Sequence, residues 1–261
     1  MNSRNTALYS LIALLVATGC FVAGERKTVR VEHSWPATTI HHLEVDEIDG
    51  AINVTAGAAD QIHMLATVHA RGKEPNRKQE NFGYFRTELD GDTLVIRRDH
   101  QRFRFHFFSV DDVRIDYDLQ VPESVAMDLR TVNGRIATRG VAGETSATAV
   151  NGEINIDTPG SSEVEAHTVN GRVAVTFVND FHGAVLRTVN GRVTAVLPSS
   201  ASFSGDFSQV NGDVEAAFPL NIHSHPGNRR VSGEVNGGRY ALRITTVNGD
   251  IKVDTGKTAK E

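Results

Sequence analysis

Apolar and polar residues alternate along most of the chain after residue 24, and the alternation is organised around seven copies of the tripeptide Val-Asn-Gly. The asparagines of these copies are Asn133, Asn151, Asn170, Asn190, Asn211, Asn236 and Asn248, and the first five are spaced by 18, 19, 20 and 21 residues. A period in this range is typical of repeat proteins. Because Asn-Gly readily adopts positive φ, each copy predicts a turn or corner in a β-rich chain.

Alignment of the copies on the asparagine shows the same period-two pattern on both of its sides. In the copy at Asn170, apolar residues stand four before it and three and five after it, at Ala166, Val173 and Val175, and Thr168 stands two before it. The other copies largely repeat the apolar positions, and threonine stands two before the asparagine in four copies. The copy at Asn236 breaks the pattern, because Arg239 replaces an aliphatic residue. Such alternation predicts strands that are buried on one face, with a distorted turn at Asn236.

The same register occurs upstream, where aliphatic residues flank Asp49 at the equivalent positions. Further strands are predicted at residues 27–32, 42–45, 51–54, 61–68, 93–97 and 113–121. No helical periodicity follows residue 24. The amino-terminal half is therefore expected to be a degenerate stretch of the same architecture that closes one end, as terminal repeats do.

Two architectures fit the repeats. In a β-meander each Asn-Gly would be a two-residue hairpin. In a β-solenoid, which resembles a parallel β-helix, it would be a corner between two sheets, with each coil stacked about 4.8 Å from the last. The valine that precedes every asparagine favours the solenoid, in which we expect these valines to line the interior. The residues two after the asparagine would then be neighbours outside, with Glu153 between two arginines and Asp213 beside Arg192.

The predicted corners are formed by the Asn-Gly pairs of six copies. They are Asn133 and Gly134, Asn151 and Gly152, Asn170 and Gly171, Asn190 and Gly191, Asn211 and Gly212, and Asn248 and Gly249. A structural duty for these asparagines, in the left-handed region and in hydrogen bonds along a ladder, accounts for the repetition without a ligand.

The first residues have the layout of an exported chain. Residues 8–17 form an apolar run that is too short for a permanent transmembrane helix, and small residues follow it. This pattern indicates a secretory signal peptide at residues 1–24. The alternative is lipidation of Cys20, the single cysteine, which follows Ala17-Thr18-Gly19. That stretch resembles the lipobox of bacterial lipoproteins, in which the cysteine becomes the first mature residue, so the signal peptide would then be 1–19. The lipoprotein interpretation is favoured.

Beyond the signal peptide, we divide the chain into three parts. Residues 25–122 form a β-rich amino-terminal part, residues 123–255 form the regular repeat array, and residues 256–261 are a polar tail. The mature chain has no cysteine pair, so packing must stabilise it. The 23 glycines and 7 prolines suit many short strands. A net charge of −5 gives no general attraction to nucleic acid.

No motif for catalysis, phosphate binding or metal binding is present, so we expect neither an enzyme nor a cofactor. Asp116 and Asp118 would share a strand face, where solvated carboxylates are the simpler interpretation. The most unusual patch lies at residues 97–108, where phenylalanines alternate with Arg102, Arg104 and His106. A strand that buries its phenylalanines explains it, but these three basic residues are also the first candidates for a partner surface.

The repeats resemble those of the bacterial putative-adhesin family with β-strand repeats, a domain of unknown function. The segments that carry the resemblance are residues 131–136, Thr-Val-Asn-Gly-Arg-Ile, residues 246–251, Thr-Val-Asn-Gly-Asp-Ile, and the approach at residues 115–122. The resemblance covers residues 40–254. It implies the fold and little about mechanism. The repeats build an extended surface without requiring a pocket, so together with the signal peptide they lead us to expect an exported, non-enzymatic, adhesin-like β-solenoid of the cell envelope that presents a long surface to an envelope protein or glycan.

The same resemblance leaves the cellular role open. The chain is expected at the periplasmic face of the envelope or at the cell surface, tethered to the membrane if Cys20 is lipidated and otherwise secreted. The alternatives are a carbohydrate-active lyase or hydrolase built on a β-helix, and a sensor or regulator of envelope stress.

Overall fold

The computed structural model describes residues 26–71, 84–98, 112–225 and 228–256. These residues form strands joined by short turns, with a single 3-10 turn at Ala37–Thr39. Every strand predicted from the sequence is present. Three further strands, β5, β18 and β19 in the numbering below, were not predicted, because their residues lack clean alternation.

The strands are numbered in chain order. Those of the amino-terminal part are β1 (Arg26–Pro36), β2 (His42–Asp49), β3 (Ile52–Ala56), β4 (Gln61–Arg71), β5 (Phe85–Asp90), β6 (Thr93–Arg98) and β7 (Asp112–Val121). Those of the regular array are β8 (Ala126–Asn133), β9 (Ile136–Arg139), β10 (Thr145–Asn151), β11 (Ile154–Thr158), β12 (Val164–Asn170), β13 (Val173–Phe177), β14 (Ala184–Asn190) and β15 (Val193–Pro198). The last are β16 (Phe203–Asn211), β17 (Val214–Ala216), β18 (Asn221–His225), β19 (Asn228–Val235), β20 (Tyr240–Asn248) and β21 (Ile251–Gly256).

Two long sheets face each other. Sheet A has the order β1-β4-β7-β3-β9-β11-β13-β15-β21-β17, and sheet B has the order β18-β19-β16-β20-β14-β12-β10-β8-β2-β6-β5. Each coil runs along sheet B, turns at a corner and returns along sheet A. Successive coils pair in parallel, for example β10 with β12 and β11 with β13. The prediction of a β-solenoid is confirmed, and the hairpin alternative is wrong.

The coils are not stacked in chain order at either end. The last coil, β20–β21, lies between β14–β15 and β16–β17, and it pairs in parallel with both. At the other end, β2–β3 lies between β6–β7 and β8–β9. The coil around Asp49 is therefore the second in the stack and does not close it.

Antiparallel strands extend the sheets beyond the coils. Strand β4 pairs antiparallel with β7, and β1 pairs with β4 along its whole length, so β1 is the outermost strand of sheet A. In sheet B, β5 follows β6 at one end, and the hairpin of β18 and β19 follows β16 at the other. Both ends of the solenoid thus change from parallel coils to antiparallel strands.

The core is a continuous apolar layer between the two sheets. The positions four before and three after each corner asparagine, such as Leu186 and Val193, are fully buried in the central coils. Toward the carboxyl end the layer is aromatic, with Phe181 packed edge-on against Phe177 and Phe203 at ring-centroid distances of 5.0 and 6.0 Å. Burial of these rows is the main stabilising contribution, because the chain has no disulfide.

Candidate interaction surface at the solenoid corner

The corner asparagines form a single ladder of side-chain hydrogen bonds. Each Nδ2 donates to the Oδ1 of the neighbouring coil, at 2.8–2.9 Å, and the six bonds run through Asn211, Asn248, Asn190, Asn170, Asn151 and Asn133 to Asp49. All donors point the same way, so the amide dipoles are aligned and the carboxylate of Asp49 accepts the last bond. A group that only accepts suits that terminal position.

The left-handed conformation expected at these asparagines is not found. Among the described residues, Asn236 is the one non-glycine residue with positive φ, at 48°, and it lies in the turn between β19 and β20, outside the ladder. The ladder asparagines instead end their strands in extended backbone. Because equivalent residues of paired strands lie about 4.8 Å apart, the strand geometry keeps these amides within hydrogen-bonding distance of the next coil.

The glycine of each corner is required by close stacking. A Cβ on Gly171 would lie 1.9 Å from the carbonyl oxygen of Gly152, and a Cβ on Gly134 would lie 1.7 Å from the carbonyl oxygen of Gly50. Such distances are far below van der Waals contact. The corner therefore brings backbone onto backbone, and only glycine permits the approach.

The threonines before the corners are buried and hold the same carbonyls. Thr168, Thr188 and Thr246 donate from Oγ1 to the glycine carbonyl of the neighbouring coil at 3.0–3.2 Å. Ala149 occupies this position in one coil and offers no hydroxyl, although it is equally buried. In the coil around Asp49 the position belongs to Glu47, which pairs with Thr131 across the strands.

The valines of the Val-Asn-Gly copies face outward, so the prediction that they line the interior is wrong. Val132, Val150, Val247 and Val210 are 38–45% exposed, and Val169 and Val189 are half-buried. Because threonine two before the asparagine points inward, the next residue must point outward. The threonine and the aliphatic residue four before the asparagine lie on the same face of the strand. Their spacing in the sequence already indicated that the valine lies on the opposite face.

These valines form a continuous aliphatic row on the corner. Its order along the stack is Ile48, Val132, Val150, Val169, Val189, Val247 and Val210, with Ile48 half-buried like the central members. We call it the valine row. The asparagine ladder runs directly beside it.

On the other side of the ladder is a row of charged residues. Glu153 pairs with Arg172, and Arg192 pairs with Asp250 at 2.9 Å. The expectation that Asp213 lies beside Arg192 is wrong, because the last coil is inserted between their coils. The hydrogen bond from Arg192 lowers the pKa of the Asp250 carboxyl. Arg135 is exposed, and no ion pair of Arg135 is found within the described residues.

A shallow concavity lies at the start of these rows, beside Gly50. It is lined by Gly50, Ala51, Arg114, Asn133, Gly134 and Arg135. Arg114 is held by Asp116 through bonds of 2.9–3.1 Å, and Asp116 also accepts from the backbone of Ala51 at 2.7 Å. The carboxylates of Asp116 and Asp118 do share a strand face, but both have structural partners, since Asp118 accepts from Asn53 at 2.8 Å.

A buried polar cluster lies between the first and second coils, and the sequence did not reveal it. Arg98 donates to Glu47 at 2.6 Å and to the carbonyl of Val113 at 2.6 Å. Burial raises the pKa of Glu47 although Arg98 opposes this effect. Burial and the nearby charge of Glu47 raise the pKa of Tyr117 well above its ordinary value. The useful signal was Glu47 at the position of the repeat threonines.

The described residues do not assemble a catalytic arrangement. Glu47 is enclosed within the core, whereas Asp128, whose pKa is raised by desolvation, lies on the outer face of sheet B beside Arg130. A glycosidase needs two carboxyl groups facing each other across a cleft, and these two lie on opposite sides of a strand layer. No group of three or more metal-ligating side chains occurs in the described part of the chain.

Several predicted residues lie outside the described ranges. Cys20 and the predicted signal peptide precede residue 26, and Arg102, Arg104 and His106 fall between β6 and β7. Their roles remain predictions. Over the ranges that the structure covers, no helix has the length and apolarity needed to cross a bilayer.

Solved structures of bacterial proteins resemble this chain to different degrees. A putative cell adhesion protein from Clostridium sporogenes ATCC 15579 superimposes with a TM-score of 0.51 and 12% identity, over 88% of this chain and 100% of that chain. A putative adhesin from Bacteroides fragilis NCTC 9343 gives a TM-score of 0.36 and 8% identity, over 86% and 96% of the two chains. A putative lipid binding protein from Parabacteroides distasonis ATCC 8503 gives 0.33 and 10%, over 90% and 99%.

At 12% identity the likeness to the Clostridium sporogenes protein concerns the fold alone. No curated protein matches the sequence of this chain. The model of the family described as Toastrack DUF4097 matches residues 36–254, which confirms the expected resemblance to a putative-adhesin domain of unknown function. Because that match extends over most of the chain, the protein belongs to the Toastrack DUF4097 family.

Proposed function

We propose that this protein is an exported, non-enzymatic component of the cell envelope, of adhesin-like type, which binds an envelope protein or glycan along its solenoid corner. The observation that carries the proposal is the valine row, whose four most exposed members are 38–45% accessible. Isolated exposed valines need no explanation, but a contiguous apolar row bordered by polar residues is typical of an interaction site.

The geometry of the corner supports an extended partner. Six intervals of about 4.8 Å give the valine row a length of roughly 29 Å. The asparagine amides next to the row are fixed by the bonds of their ladder, and two ion pairs neutralise most of the charged row. A rigid surface of this kind requires little ordering when it binds, which favours affinity for a long, flat ligand.

The names of similar proteins agree with this proposal at the level of class. The solved structure that superimposes on this chain with a TM-score of 0.51 is described as a putative cell adhesion protein. The proposed location is the periplasmic face of the envelope or the cell surface. It depends on the signal peptide, and the proposed membrane tether depends on lipidation of Cys20.

The binding proposal is tested by placing charge on the valine row. Val150→Arg combined with Val247→Arg puts two guanidinium groups on the row without touching the core. Val178→Arg is the matched control, since Val178 is 48% exposed but lies in the turn after β13, away from the corner. We expect the double variant to lose binding to isolated envelope fractions, and the control to bind like the unchanged protein. Equal binding by all three proteins would refute the role of the row.

The location is tested separately by mass spectrometry of the mature amino terminus. A diacylglyceryl group on Cys20 would establish the tether, whereas a free Glu25 would establish cleavage after residue 24 and secretion. A chain that retains Met1 would contradict export.

A further inference from the structure

Strand β1 presents a long open edge. It runs for 11 residues, from Arg26 to Pro36, and pairs along its full length with β4. It is the last strand of sheet A, so no strand among the described residues pairs with its outer side. Such an edge carries a row of backbone donors and acceptors that can pair with another strand. The opposite end of sheet A is different, because β17 has only 3 residues.

The charges on β1 are opposite in sign, exposed and close to its centre. Arg30 and Glu32 lie on the outer face of the strand, two residues apart, with Val31 between them on the other face. Across the strand pair they stand opposite Thr67 and Leu65, neither of which can neutralise them. Within the described part of the chain neither residue forms an ion pair or side-chain hydrogen bond.

We propose that β1 pairs antiparallel with β1 of a second copy, about a two-fold axis at Val31. In this register Arg30 faces the partner's Glu32 and Glu32 faces the partner's Arg30, which gives two attractive cross-strand pairs. Thr28 faces the partner's Ser34 on the same surface. Sheet A then continues through the dimer as one sheet of twice the width, and the interface is isologous.

The neighbouring registers are disfavoured by the same residues. A shift that places the axis at Arg30 sets Arg30 against itself, and a shift to Glu32 sets Glu32 against itself. Like charges directly opposite each other destabilise a strand pair. A shift of one residue between the strands would set the outer face of one copy against the inner face of the other. The axis at Val31 is thus selected by charge and by face.

The inner face of β1 also gains from the pairing. Val29, Val31 and Trp35 point toward the core but stay half-buried, because sheet A extends one strand further than sheet B at this end. His33 and Trp35 stack at a ring-centroid distance of 5.5 Å. In the dimer Val31 lies opposite the partner's Val31 and Val29 lies opposite the partner's His33, and these contacts remove apolar surface from water.

The test is a charge exchange on the purified full chain, followed by sedimentation equilibrium. Arg30→Glu alone and Glu32→Arg alone each create two like-charged pairs, and we expect either to weaken dimerisation by about ten- to a hundredfold. The double variant, Arg30→Glu with Glu32→Arg, restores both attractive pairs, so we expect its dissociation constant to return to within about threefold of the original. All three changes are at exposed positions, and circular dichroism would verify that the fold is retained.

A covalent test establishes the register. Thr28→Cys combined with Ser34→Cys should give a disulfide-linked dimer, since directly opposite residues of antiparallel strands are close enough for that bond. Each single variant should remain uncrosslinked, which also controls for Cys20. The proposal is overturned if the unchanged protein is a monomer at the highest attainable concentration, or if it dimerises but the double exchange fails to restore what the single changes remove. Neither result bears on binding at the valine row.

Discussion

At the residue scale, the repeat is defined by close contacts between the backbones of neighbouring coils. The corner glycine allows carbonyl and backbone to approach, and the buried threonine hydroxyl then satisfies that carbonyl at 3.0–3.2 Å in three coils. A buried carbonyl that loses its donor costs more than the bond contributes on average. The threonines should therefore be the most sensitive polar residues of the array.

This sensitivity can be measured at Thr168, which is fully buried. We expect Thr168→Ala to lower the free energy of unfolding by about 1–2 kcal/mol and Thr168→Ser to retain most of it, because the serine hydroxyl still donates to Gly152. The converse change, Ala149→Thr, should raise stability by up to about 1 kcal/mol. Urea denaturation provides the values, and the exposed Thr245→Ala serves as the control that should change little. Equal effects of Thr168→Ala and Thr168→Ser would contradict the assignment.

Tyr117 predicts a dependence of stability on pH. Burial raises its pKa well above the ordinary value of 10, and its hydroxyl is buried without a hydrogen bond of normal geometry. A group whose pKa is raised on folding contributes stability that is complete below the unfolded pKa and is lost as the pH rises beyond it. The protein should therefore lose stability as the pH rises above about 10.

The substitution Tyr117→Phe separates this contribution from other titrations. At pH 7 we expect it to change the free energy of unfolding by less than about 1 kcal/mol, since no well-formed hydrogen bond is lost. Above about pH 10 the variant should lose less stability than the unchanged protein. Denaturation curves at both pH values would check this, and parallel losses in the two proteins would argue against it.

At the element scale, the positions of the strands and their buried faces could be predicted from the sequence. The orientation of the valine before each corner asparagine could not be inferred from the fact that every copy has it. Val132 and its equivalents face outward, whereas Leu129 and Thr131 face the core. Invariance within a chain does not distinguish core from surface. The alternation of apolar and polar residues does distinguish them, and it correctly predicts that these valines face outward. The left-handed corner was a second error, because Asn-Gly in a hairpin and Asn-Gly in a stacked corner use different backbone conformations.

The direction of the asparagine ladder leads to a prediction about where a carboxylate is tolerated. Asn170→Asp removes the donor to Asn151 and sets a charged oxygen against Oδ1, so at pH 7 it should cost about 1–2 kcal/mol. Asp49→Asn keeps an acceptor for Asn133 and should cost less than about 0.5 kcal/mol. Urea denaturation at pH 7 compares the two. The Asn170→Asp variant should recover as the pH falls below about 4, where its carboxyl can donate again.

At the scale of the whole molecule, the order of coils could not be predicted. The copies of the repeat have nearly the same pattern of residues, so this pattern does not indicate which copy stacks on which. The inserted position of β20–β21 follows from the hairpin of β18 and β19, which carries the chain back past β16 before the last coil begins. The buried cluster of Glu47, Arg98 and Tyr117 was hidden for the same reason, since Glu47 and Arg98 meet only because β6 stacks on β2.

The inserted coil can be distinguished from an ordinary coil by deletion. Removal of residues 153–171 joins Gly152 to Arg172 and restores a Val-Asn-Gly-Arg-Val sequence, so we expect a shorter solenoid that still unfolds cooperatively, with a lower midpoint. A chain that ends at Gly238 lacks β20 and β21, and the coils on either side of them lose their common neighbour. That variant should be cut rapidly by protease within β16–β19. Similar protease resistance of the two variants would show that the inserted coil has no special role.

The placement of β20–β21 has a consequence for how the protein comes into being. These two strands come after β16–β19 in the chain, yet they lie between β14–β15 and β16–β17 in the folded solenoid. The coil β16–β17 can therefore join the array only when β20–β21 is already in place. At this end of the molecule, coils cannot be added in chain order as the protein folds, because an earlier segment must wait for a later one.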